Sequence, residues 1–389
     1  MNSPNETTGR EAAATEISVI VPTINESENL PALLERISAA LAGRRFEVII
    51  VDDNSRDRTP EVCAELARTY PLKLLVRLNP ANGLSGAVLH GMAQARGEIL
   101  CVMDADLQHP PEKLPELIAP LTAGTADFVV GSRYLPGGST DTEWGFLRKL
   151  NSNIATFLAR PFAGNVTDPM AGFFALKRQT YLGARNLTPL GYKIALELMC
   201  KTRARKPVEI PIHFGMRAKG ESKLSFKQQF RYLEHLSRLY DFTFPRASPV
   251  VKFLIATGLG WAVGLGAYSV LLKSAVGRVP AIALAYIPAL LLAAVFQARY
   301  VKAQREFMPR RTPWADFAVI SAVEWLAAMT AAWWASRRLQ APGRWEIFVL
   351  SFGAATMVRY VLRKELLHDI RGLRRQLPRE SEANASGSD

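Results

Sequence analysis

Short apolar runs alternate with stretches of helical periodicity through the first half of the chain. Runs typical of buried strands are Ile17–Val21, Phe46–Val51, Leu72–Leu78, Ile99–Met103 and Phe128–Val130. Apolar residues at helical spacing fall between them, over Leu30–Leu41, Glu61–Tyr70, Gly83–Gln94 and Leu114–Leu121. Alternating strands and helices predict a mostly parallel α/β sheet, doubly wound, with helices on both faces.

Polar clusters follow the predicted strands where these end, at 22–29, 52–59 and 104–108. The carboxyl ends of parallel strands meet at one edge of a sheet, and ligands bind there. We therefore expect one cleft to collect these clusters. A dinucleotide is not the expected ligand, because Pro-Thr-Ile-Asn-Glu follows the first strand in place of Gly-x-Gly-x-x-Gly. Gly83, Gly86 and Gly91 are interpreted as allowing close packing of their helix.

Asp104 and Asp106 leave the strand Ile99–Met103 one residue apart. Side chains alternate along an extended chain, so this spacing points both carboxylates the same way, and Gln108 follows by the same parity. Carboxylate and amide oxygens suit Mg²⁺ or Mn²⁺, which leaves further positions for a substrate phosphate. The alternative interpretation is that the two aspartates only end a strand and begin a turn.

Long apolar stretches occupy the second half of the chain. Phe253–Leu272 and Val279–Ala298 contain no charged residue, and each has the length of roughly 20 residues that a bilayer crossing requires. Weaker candidates, which contain charged residues, are Phe317–Ala335 and Trp345–Leu362. Together they predict a four-helix transmembrane domain over residues 249–365.

Charge adds an expectation about partners and location. The net charge of +13, from 48 Lys and Arg against 35 Asp and Glu, favours an anionic partner. Basic residues gather at Arg299–Arg311 and after Leu362, beside the apolar stretches, so nucleic acid is not expected. By the positive-inside rule, an integral membrane protein is predicted whose catalytic domain and both termini face the cytoplasm. The widely spaced Cys63, Cys101 and Cys200 predict a reduced setting and no metal site.

The remaining segments complete the predicted domain organisation. Residues 1–16 are polar and lack the apolar core of a secretory signal, so we expect a disordered leader before a catalytic domain at 17–224. Residues 225–248 show a basic amphipathic pattern suited to a membrane surface, and a packed domain-closing helix is the alternative. Residues 366–389 are expected to form a basic, disordered tail.

A series of motifs in order along Ile17–Tyr240 resembles the dolichyl-phosphate mannose synthases, which are inverting GT-A glycosyltransferases of family 2. The matching segments are Pro22–Glu26, Val51–Thr59, Gly83–Gly91, Met103–Pro111, Gly131–Tyr134, Asp168–Phe173 and Arg217–Lys223. The apolar half is similar to the GtrA-like domains that some members carry. The resemblance implies a GT-A fold, a GDP-mannose donor and a dolichyl or polyprenyl monophosphate acceptor in the lipid bilayer.

The resemblance also implies roles for individual residues. Asp104, Asp106 and Gln108 would hold Mg²⁺ or Mn²⁺ on the diphosphate of the donor. The nucleotide sugar would contact Pro22, Thr23, Asn25, Glu26, Asp53, Asp104, Ala105, Asp106, Gln108, Asp168, Arg217 and Lys223. For Glu26 the alternative is a helix first-turn acid, and for Asp168 a turn cap. Ser222 lies in the same basic loop as Arg217.

Arg133, Arg148 and Ser152 are expected to bind the acceptor phosphate. Guanidinium groups match phosphate oxygens in a bidentate manner, and Ser152 lies one helical turn after Arg148. An arginine on a surface helix is usually only solvated, but these residues stand in matching motifs. His90 and His109 are interpreted as packing or supporting residues, and Glu197 is expected either buried beside the site or facing outward.

The predicted reaction is a single displacement that inverts the mannose anomeric carbon. The acceptor oxygen is already anionic near neutral pH, because the second pKa of a phosphate monoester is about 6, so no strong general base is needed. The expected catalytic residues are Asp104, Asp106, Arg133, Arg148, Ser152 and Arg217. Alternatives are the same fold acting on UDP-glucose or another nucleotide sugar, and a lipid-sugar flippase or scaffold with an inactive transferase domain. The sequence does not indicate whether the protein forms oligomers.

Overall fold

The computed structural model of the chain describes residues 15–141, 146–188, 190, 193–202, 204, 206–215, 226–274, 276–296, 313–339 and 344–374. The chain separates into two compact units, an α/β unit at Met1–Thr243 and a helical unit at Phe244–Asp389. The predicted finer division, with boundaries at 17–224, 225–248 and 249–365, stays a prediction.

A seven-stranded sheet forms the centre of the α/β unit, in the order β3-β2-β1-β4-β7-β5-β8. Its strands are β1 Ile17–Thr23, β2 Phe46–Asp52, β3 Leu72–Val76, β4 Ile99–Val102, β5 Phe128–Ser132, β7 Phe174–Lys177 and β8 Pro207–Pro211. A separate parallel pair is formed by β6 Ser139–Thr140 and β9 His213–Phe214. The expected mostly parallel α/β architecture is confirmed.

Helices connect the strands and cover both faces of the sheet. They are α1 Leu30–Ala40, α2 Thr59–Leu66, α3 Gly83–Gln94, α4 Leu114–Thr122, α5 Phe146–Ala163, α6 Arg178–Leu182, α7 Ile194–Thr202 and α8 Phe226–Thr243. α2 begins two residues before its predicted start because Pro60 suits the first turn of a helix. It ends at Leu66, and the turn that follows leads into β3.

The short strand β7 is antiparallel to both of its neighbours, β4 and β5, and sequence patterning did not predict it. An antiparallel strand begins at the edge where its parallel neighbours end. The segment that precedes β7, residues 168–173, therefore reaches the carboxyl end of β4. β8 is parallel to β5, so the residues that follow both of these strands lie at that same edge.

Alternate residues of β1 pack into different layers, as a strand buried on both faces requires. Val19 lies in the layer that α1 covers, and Ile20 lies in the layer that α3 covers. Each fully buried Ile or Val contributes roughly 1.5–3 kcal/mol. Gly91 permits the close approach of α3, because a Cβ there would lie 2.6 Å from Ile20 Cγ2 and 2.9 Å from Val51 Cγ2.

The helical unit contains α9 Ser248–Lys273, α10 Arg278–Phe296, α11 Pro313–Arg338 and α12 Arg344–Arg374. Within the described ranges, three stretches are long and apolar enough to cross a bilayer, at Val250–Lys273, Ala318–Arg338 and Trp345–Leu362. The predicted second span falls on α10, whose apolar part is shorter, at Arg278–Ala293.

A buried ion pair joins α11 to α12 inside the helical unit. Nε of Arg359 donates to Oε1 of Glu324 at 2.9 Å, and the Tyr286 hydroxyl of α10 donates to Oε2 of Glu324 at 3.3 Å. Ionised groups are costly in a bilayer interior, so they are usually paired there, as these are. This pair accounts for Glu324 in the third predicted span and for Arg359 in the fourth.

Candidate active site

The carboxyl edge of the sheet gathers loops from several strands. They are 24–29 after β1, 53–58 after β2, 103–109 after β4, 133–134 after β5, 168–173 before β7 and 212–215 after β8. The polar clusters that the sequence placed at strand ends are therefore at one edge, as expected. The antiparallel strand β7 brings residues 168–173 to this edge as well, and the strand pattern of the sequence did not predict that strand.

The acidic loop, residues 104–109, turns away from the strand at once. β4 ends at Val102, and Leu107 has a φ of 62°, so the alternation of an extended strand does not set the direction of Gln108. The Gln108 N–H donates to Oδ1 of Asp106 at 3.2 Å. Asp106 is buried, whereas the Asp104 side chain remains 33% exposed.

Gln108 is also tied to the segment after β9. The Gly215 N–H donates to the Gln108 carbonyl at 3.1 Å, and the Gln108 side-chain Nε2 donates to the Gly215 carbonyl at 3.0 Å. The amide nitrogen is thus occupied by the backbone, and Oε1 is the end that suits a cation. Gly215 lies two residues before Arg217, at the start of the predicted basic loop.

The donor set fits a hard divalent cation in its chemistry. Asp104 and Asp106 supply carboxylate oxygens and Gln108 supplies an amide oxygen, the ligand types that Mg²⁺ and Mn²⁺ prefer. Across the part of the chain that the structure describes, no group of three or more His, Cys, Asp and Glu side chains is arranged for a metal. The predicted set has two carboxylates and the amide of Gln108, so it is not a group of that kind. The assignment of these three residues to a cation stays a prediction.

The predicted nucleoside residues after β1 take part in local bonds. Asn25, in the left-handed region with a φ of 58°, receives the Arg56 N–H on Oδ1 at 2.8 Å and donates its own N–H to Ser55 Oγ at 2.8 Å. Glu26 accepts from Asn29 Nδ2 at 2.7 Å. The Asn25 bonds fasten the loop after β1 to the loop after β2, and the Glu26 bond lies within the loop after β1.

The strand residues beside this loop are fixed by the sheet. Pro22 and Thr23 belong to β1 and pair with Val51 and Asp52 of β2. Ala105, within the acidic loop, is buried. The predicted contacts of these residues with a nucleotide sugar stay predictions.

Asp53 pairs with an arginine that sequence analysis did not single out. NH1 of Arg77, just after β3, lies 3.0 Å from Oδ1 of Asp53, and both side chains are largely buried. Burial raises the pKa of Asp53, and the nearby Asp52 adds to this, against the opposing charge of Arg77. The predicted strand Leu72–Leu78 included Arg77, whereas β3 ends at Val76, so Arg77 lies just beyond the carboxyl end of the observed strand.

Arg133 and Asp168, to which the sequence gave separate roles, form one bidentate pair. Arg133 Nε lies 2.7 Å from Asp168 Oδ2, and NH2 lies 2.9 Å from Oδ1. The guanidinium carbon is 5.5 Å from the ring centre of Tyr134 and 5.3 Å from that of Phe214. The cation predicted for the acceptor phosphate and the carboxylate predicted for the sugar are thus in contact.

Lys193 is a further cation beside this pair that the sequence did not assign. Its Nζ donates to the carbonyl of Met170 at 3.3 Å, in the segment that carries Asp168. Burial, and then the charge of Arg133, lower the pKa of Lys193 to about 8, against the opposing charges of Asp168 and Asp104. A lysine with this pKa changes its charge within the range in which most enzymes are assayed.

His109 closes the acidic loop as a buried, neutral imidazole. Its Nδ1 accepts the Asp104 N–H at 3.0 Å. Burial lowers the pKa of His109 to about 4, with smaller opposing effects from Asp106 and Asp168 and a further lowering from Arg133. The expectation of a supporting role fits this placement.

Glu197 lies on α7 and is fully buried, one of the alternatives expected for it. Its Oε1 is 2.8 Å from Nζ of Lys201 and accepts the Thr188 N–H at 2.6 Å. Its Oε2 is 3.0 Å from Nε2 of His235, on α8. This cluster, Glu197 with Lys201 and His235, fastens α8 to α7.

Several predicted site residues cannot be placed in this geometry. Arg148 and Ser152 lie on α5, and their side chains fall outside the described residues. Arg217, Ser222 and Lys223 lie wholly outside the described residues. Their predicted roles stay predictions.

A mostly parallel sheet with an acidic loop at its carboxyl edge, in a chain that also carries apolar helices of membrane-spanning length, is the architecture of a membrane-bound GT-A-like glycosyltransferase. Comparison with protein families agrees. Residues 18–183 match the model described as glycosyl transferase family 2, and residues 252–367 match the GtrA/DPMS transmembrane domain. The chain belongs to glycosyltransferase family 2, in the group that carries a GtrA/DPMS membrane domain, which confirms the resemblance.

Curated relatives are similar to this chain over more than half of its length. The dolichol-phosphate mannosyltransferase of Pyrococcus furiosus is 44% identical over 64% of this chain and 70% of its own length. That of Saccharomyces cerevisiae is 42% identical over 59% of this chain and 88% of its own length. Among solved structures, the chain aligns with glucosyl-3-phosphoglycerate synthase of Mycobacterium tuberculosis, which was solved in complex with Mn²⁺, UDP-glucose and phosphoglyceric acid. The TM-score is 0.45 and the identity 21%, over 59% of this chain and 80% of that one.

Proposed function

We propose that this protein is a dolichol-phosphate mannosyltransferase that moves mannose from GDP-mannose to a dolichyl or other polyprenyl monophosphate, with inversion. The observation that carries the proposal is the 42–44% identity to relatives of that name over 59–64% of this chain. The acidic loop at the sheet edge and the membrane-domain match are what such a reaction needs: a site for a nucleoside diphosphate and access to a lipid.

The acidic loop is proposed to bind Mg²⁺ or Mn²⁺ through Asp104, Asp106 and Gln108. A cation there would offset the charge that develops on the diphosphate leaving group. Asp53, with Arg77 beside it, is proposed to bind the nucleoside, because a carboxylate at a strand end accepts bonds from ribose hydroxyls. Pro22, Thr23, Asn25, Glu26 and Ala105 are proposed to line the same part of the cleft.

On the acceptor side, Arg133 is proposed to hold the lipid phosphate together with Arg148 and Ser152. A guanidinium matches phosphate oxygens in a bidentate manner, and Asp168 lies against the edge of Arg133 formed by Nε and NH2. Asp168 then fixes the direction of the guanidinium. Lys193 adds positive charge between the two substrates, and Arg217 with Lys223 is proposed to act on the diphosphate.

The attacking phosphate oxygen needs no proton removed at neutral pH, because the second pKa of a phosphate monoester is about 6. His109 is not suited to serve as a base, since it is buried and its Nδ1 accepts the Asp104 N–H. The residues of the cleft thus bind, orient and neutralise charge. Positioning and electrostatic stabilisation are together sufficient for large rate gains.

The α/β unit and both termini are proposed to face the cytoplasm. Support comes from the basic residues between the second and third apolar stretches and after the fourth, which favour the cytoplasmic side. Labelling of a cysteine introduced in the tail beyond Pro378, in sealed vesicles of known orientation, tests this side assignment.

The donor is tested with the purified full chain in lipid nanodiscs, a short polyprenyl phosphate and either GDP-mannose or UDP-glucose. We expect a β-linked mannosyl phosphate product that requires added Mn²⁺ or Mg²⁺. Turnover of UDP-glucose without turnover of GDP-mannose would overturn the proposed donor. Absence of transfer from every nucleotide sugar, with movement of lipid-linked sugar across vesicles, would instead favour the flippase alternative.

A further inference from the structure

His109 is held in one orientation by residues from three separate segments. Its ring stacks on Phe173, with ring centres 5.5 Å apart and planes 17° apart, and meets Phe214 at 5.3 Å. Phe173 immediately precedes β7 and is fully buried, and Phe214 belongs to β9. The imidazole therefore has little room to rotate.

The hydrogen bond to Asp104 fixes which ring nitrogen carries the proton. A backbone N–H can only donate, so Nδ1 of His109, 3.0 Å from the Asp104 nitrogen, must be the unprotonated acceptor. The proton of the neutral ring is then on Nε2. The same Nδ1 lies 3.7 Å from Oδ2 of Asp104, so the ring also borders the carboxylate.

Gly172 leaves the space that this arrangement needs. A Cβ at Gly172 would lie 3.0 Å from Cε1 of His109 and 3.2 Å from Oδ2 of Asp104. The ring and the carboxylate therefore pack side by side against the backbone of Gly172. Any movement of the ring changes the space available to the carboxylate.

We propose that His109 is a positioning residue for the cation site: by accepting the Asp104 N–H on Nδ1, it fixes the backbone from which the Asp104 carboxylate projects toward the cation. This inference rests on the proposed function, because it assumes that the acidic loop binds a divalent cation. His109 touches neither the cation nor the substrates in this scheme. Its effect is to keep the loop in the binding geometry before the cation arrives.

The proposal predicts that an acceptor at the Nδ1 position is the property that counts. Asn places its side-chain oxygen where His places Nδ1, whereas Ala has no acceptor. Both His109→Asn and His109→Ala lose the ring and its stacking on Phe173. The difference between these two variants therefore isolates the hydrogen bond from the loss of packing.

The experiment measures Mn²⁺ binding to the full chain in nanodiscs with GDP present, from the electron paramagnetic resonance signal of the unbound ion. Removing a group that orients a metal ligand typically weakens binding by about 10–100-fold. We expect a loss in this range for His109→Ala and binding close to that of the unsubstituted protein for His109→Asn. The thermal midpoint should fall in both variants, and further in His109→Ala, because Ala removes the acceptor of the Asp104 N–H as well as the ring.

Equal Mn²⁺ affinity in the two variants would overturn the inference, because packing alone would then explain any loss. A third variant, His109→Phe, keeps an aromatic ring between Phe173 and Phe214 and removes the acceptor. It should bind Mn²⁺ weakly if the inference holds, and normal binding by His109→Phe would also overturn it.

Failure of the proposed function gives a different result. A protein that binds Mn²⁺ with GDP but transfers no mannose contradicts the proposed donor or acceptor, and the comparison of His109→Asn with His109→Ala remains decisive for His109. A protein that transfers mannose while both variants bind Mn²⁺ equally well contradicts only the inference about His109.

Discussion

Asp104 and Glu197 are carboxylates of the same α/β unit in opposite surroundings. Glu197 has no exposed surface, and its oxygens lie within 3.0 Å of cationic or potentially cationic side chains, Lys201 and His235. The Asp104 side chain is 33% exposed at the cleft, in a loop whose backbone is fixed by His109. The charge of Glu197 is neutralised from within the fold, whereas the geometry around Asp104 suits a charge that arrives with a ligand.

This difference shows that burial of a carboxylate does not identify a functional site. A buried carboxylate with its own lysine contributes by joining secondary structure elements, here α7 and α8. A carboxylate at the carboxyl edge of a parallel sheet is placed where ligands bind. Substitution should therefore affect stability at Glu197 and activity at Asp104.

The largest expected effect is the loss of transfer in Asp104→Asn. Asn keeps the shape of the side chain but loses the negative charge that is proposed to hold the cation. A cation in such a site is worth several kcal/mol to the transition state. We expect mannose transfer to fall by at least about 10³-fold, which corresponds to about 4 kcal/mol. Initial rates with GDP-mannose across a Mn²⁺ series, together with the thermal midpoint of the variant, measure this.

The thermal midpoint of Asp104→Asn should change less than that of a Glu197 variant, because the Asp104 side chain is 33% exposed whereas Glu197 is fully buried. Transfer that survives in Asp104→Ala at saturating Mn²⁺ would show that the cation assignment is wrong. A fall in the thermal midpoint as large as that of a Glu197 variant would remove the contrast between the two carboxylates.

The converse effect is expected for Glu197→Ala. This substitution leaves Lys201 buried without its carboxylate, and breaking a buried ion pair in this way typically costs about 3–5 kcal/mol of unfolding free energy. The thermal midpoint should fall clearly, while the rate per folded molecule at low temperature stays near that of the unsubstituted protein. Glu65→Gln on the surface of α2 is the matched control and should change stability by less than about 0.5 kcal/mol.

The sequence predicted one of these carboxylates better than the other. Asp104 and Asp106 follow an apolar strand, so their place at the sheet edge follows from local pattern. Glu197 has one partner a helical turn away, Lys201, but His235 is 38 residues distant, and no periodicity connects them. Its burial was therefore one of two expectations that the sequence left open.

The same limit explains what sequence analysis missed in the cleft. The pairing of Arg133 with Asp168 depends on β7, a four-residue strand too short to show a pattern and antiparallel to its neighbours. Lys193 reaches the cleft from the residue before α7, through a bond to the carbonyl of Met170. These contacts come from topology, which local patterns do not encode.

A smaller effect is expected for Arg133→Lys, which keeps the charge and loses the bidentate fork. Hydrogen bonds to charged groups are worth about 1.5–3 kcal/mol, so the loss of one predicts about a 10–100-fold weaker use of the acceptor. The KM for polyprenyl phosphate should rise more than the KM for GDP-mannose. Arg359→Lys in the helical unit breaks the same kind of pair with Glu324 and is the matched control.

Arg359→Lys should lower the thermal midpoint in detergent without a selective change in either KM. An equal rise of both KM values in Arg133→Lys would show that Arg133 acts on the whole cleft and not on the acceptor. The Arg133–Asp168 pair would then resemble the Glu197–Lys201 pair, and the role of Asp168 would be purely structural.

The smallest expected effect is a pH dependence of stability from Lys193. Its pKa in the folded chain is lowered to about 8, mainly by burial, from the ordinary lysine value of 10.5. Between these values the unfolded chain binds the proton that the folded chain has released, so the unfolding free energy rises with pH, by less than about 1.4 kcal/mol per pH unit. Below pH 8 both states are charged, and the contribution no longer changes.

Lys193→Met removes this proton and should remove the rise. The thermal midpoint of the unsubstituted protein should gain on that of Lys193→Met between pH 8 and pH 10 and run parallel to it below pH 8. Bound GDP with Mn²⁺ places a diphosphate near the cleft. The negative charge of the diphosphate would hold the proton on Lys193, so the difference in thermal midpoint would begin to grow at a higher pH. If the difference between the two thermal midpoints is the same at every pH, Lys193 does not titrate in this range. Lys193 then provides a fixed positive charge beside Arg133 and Asp168.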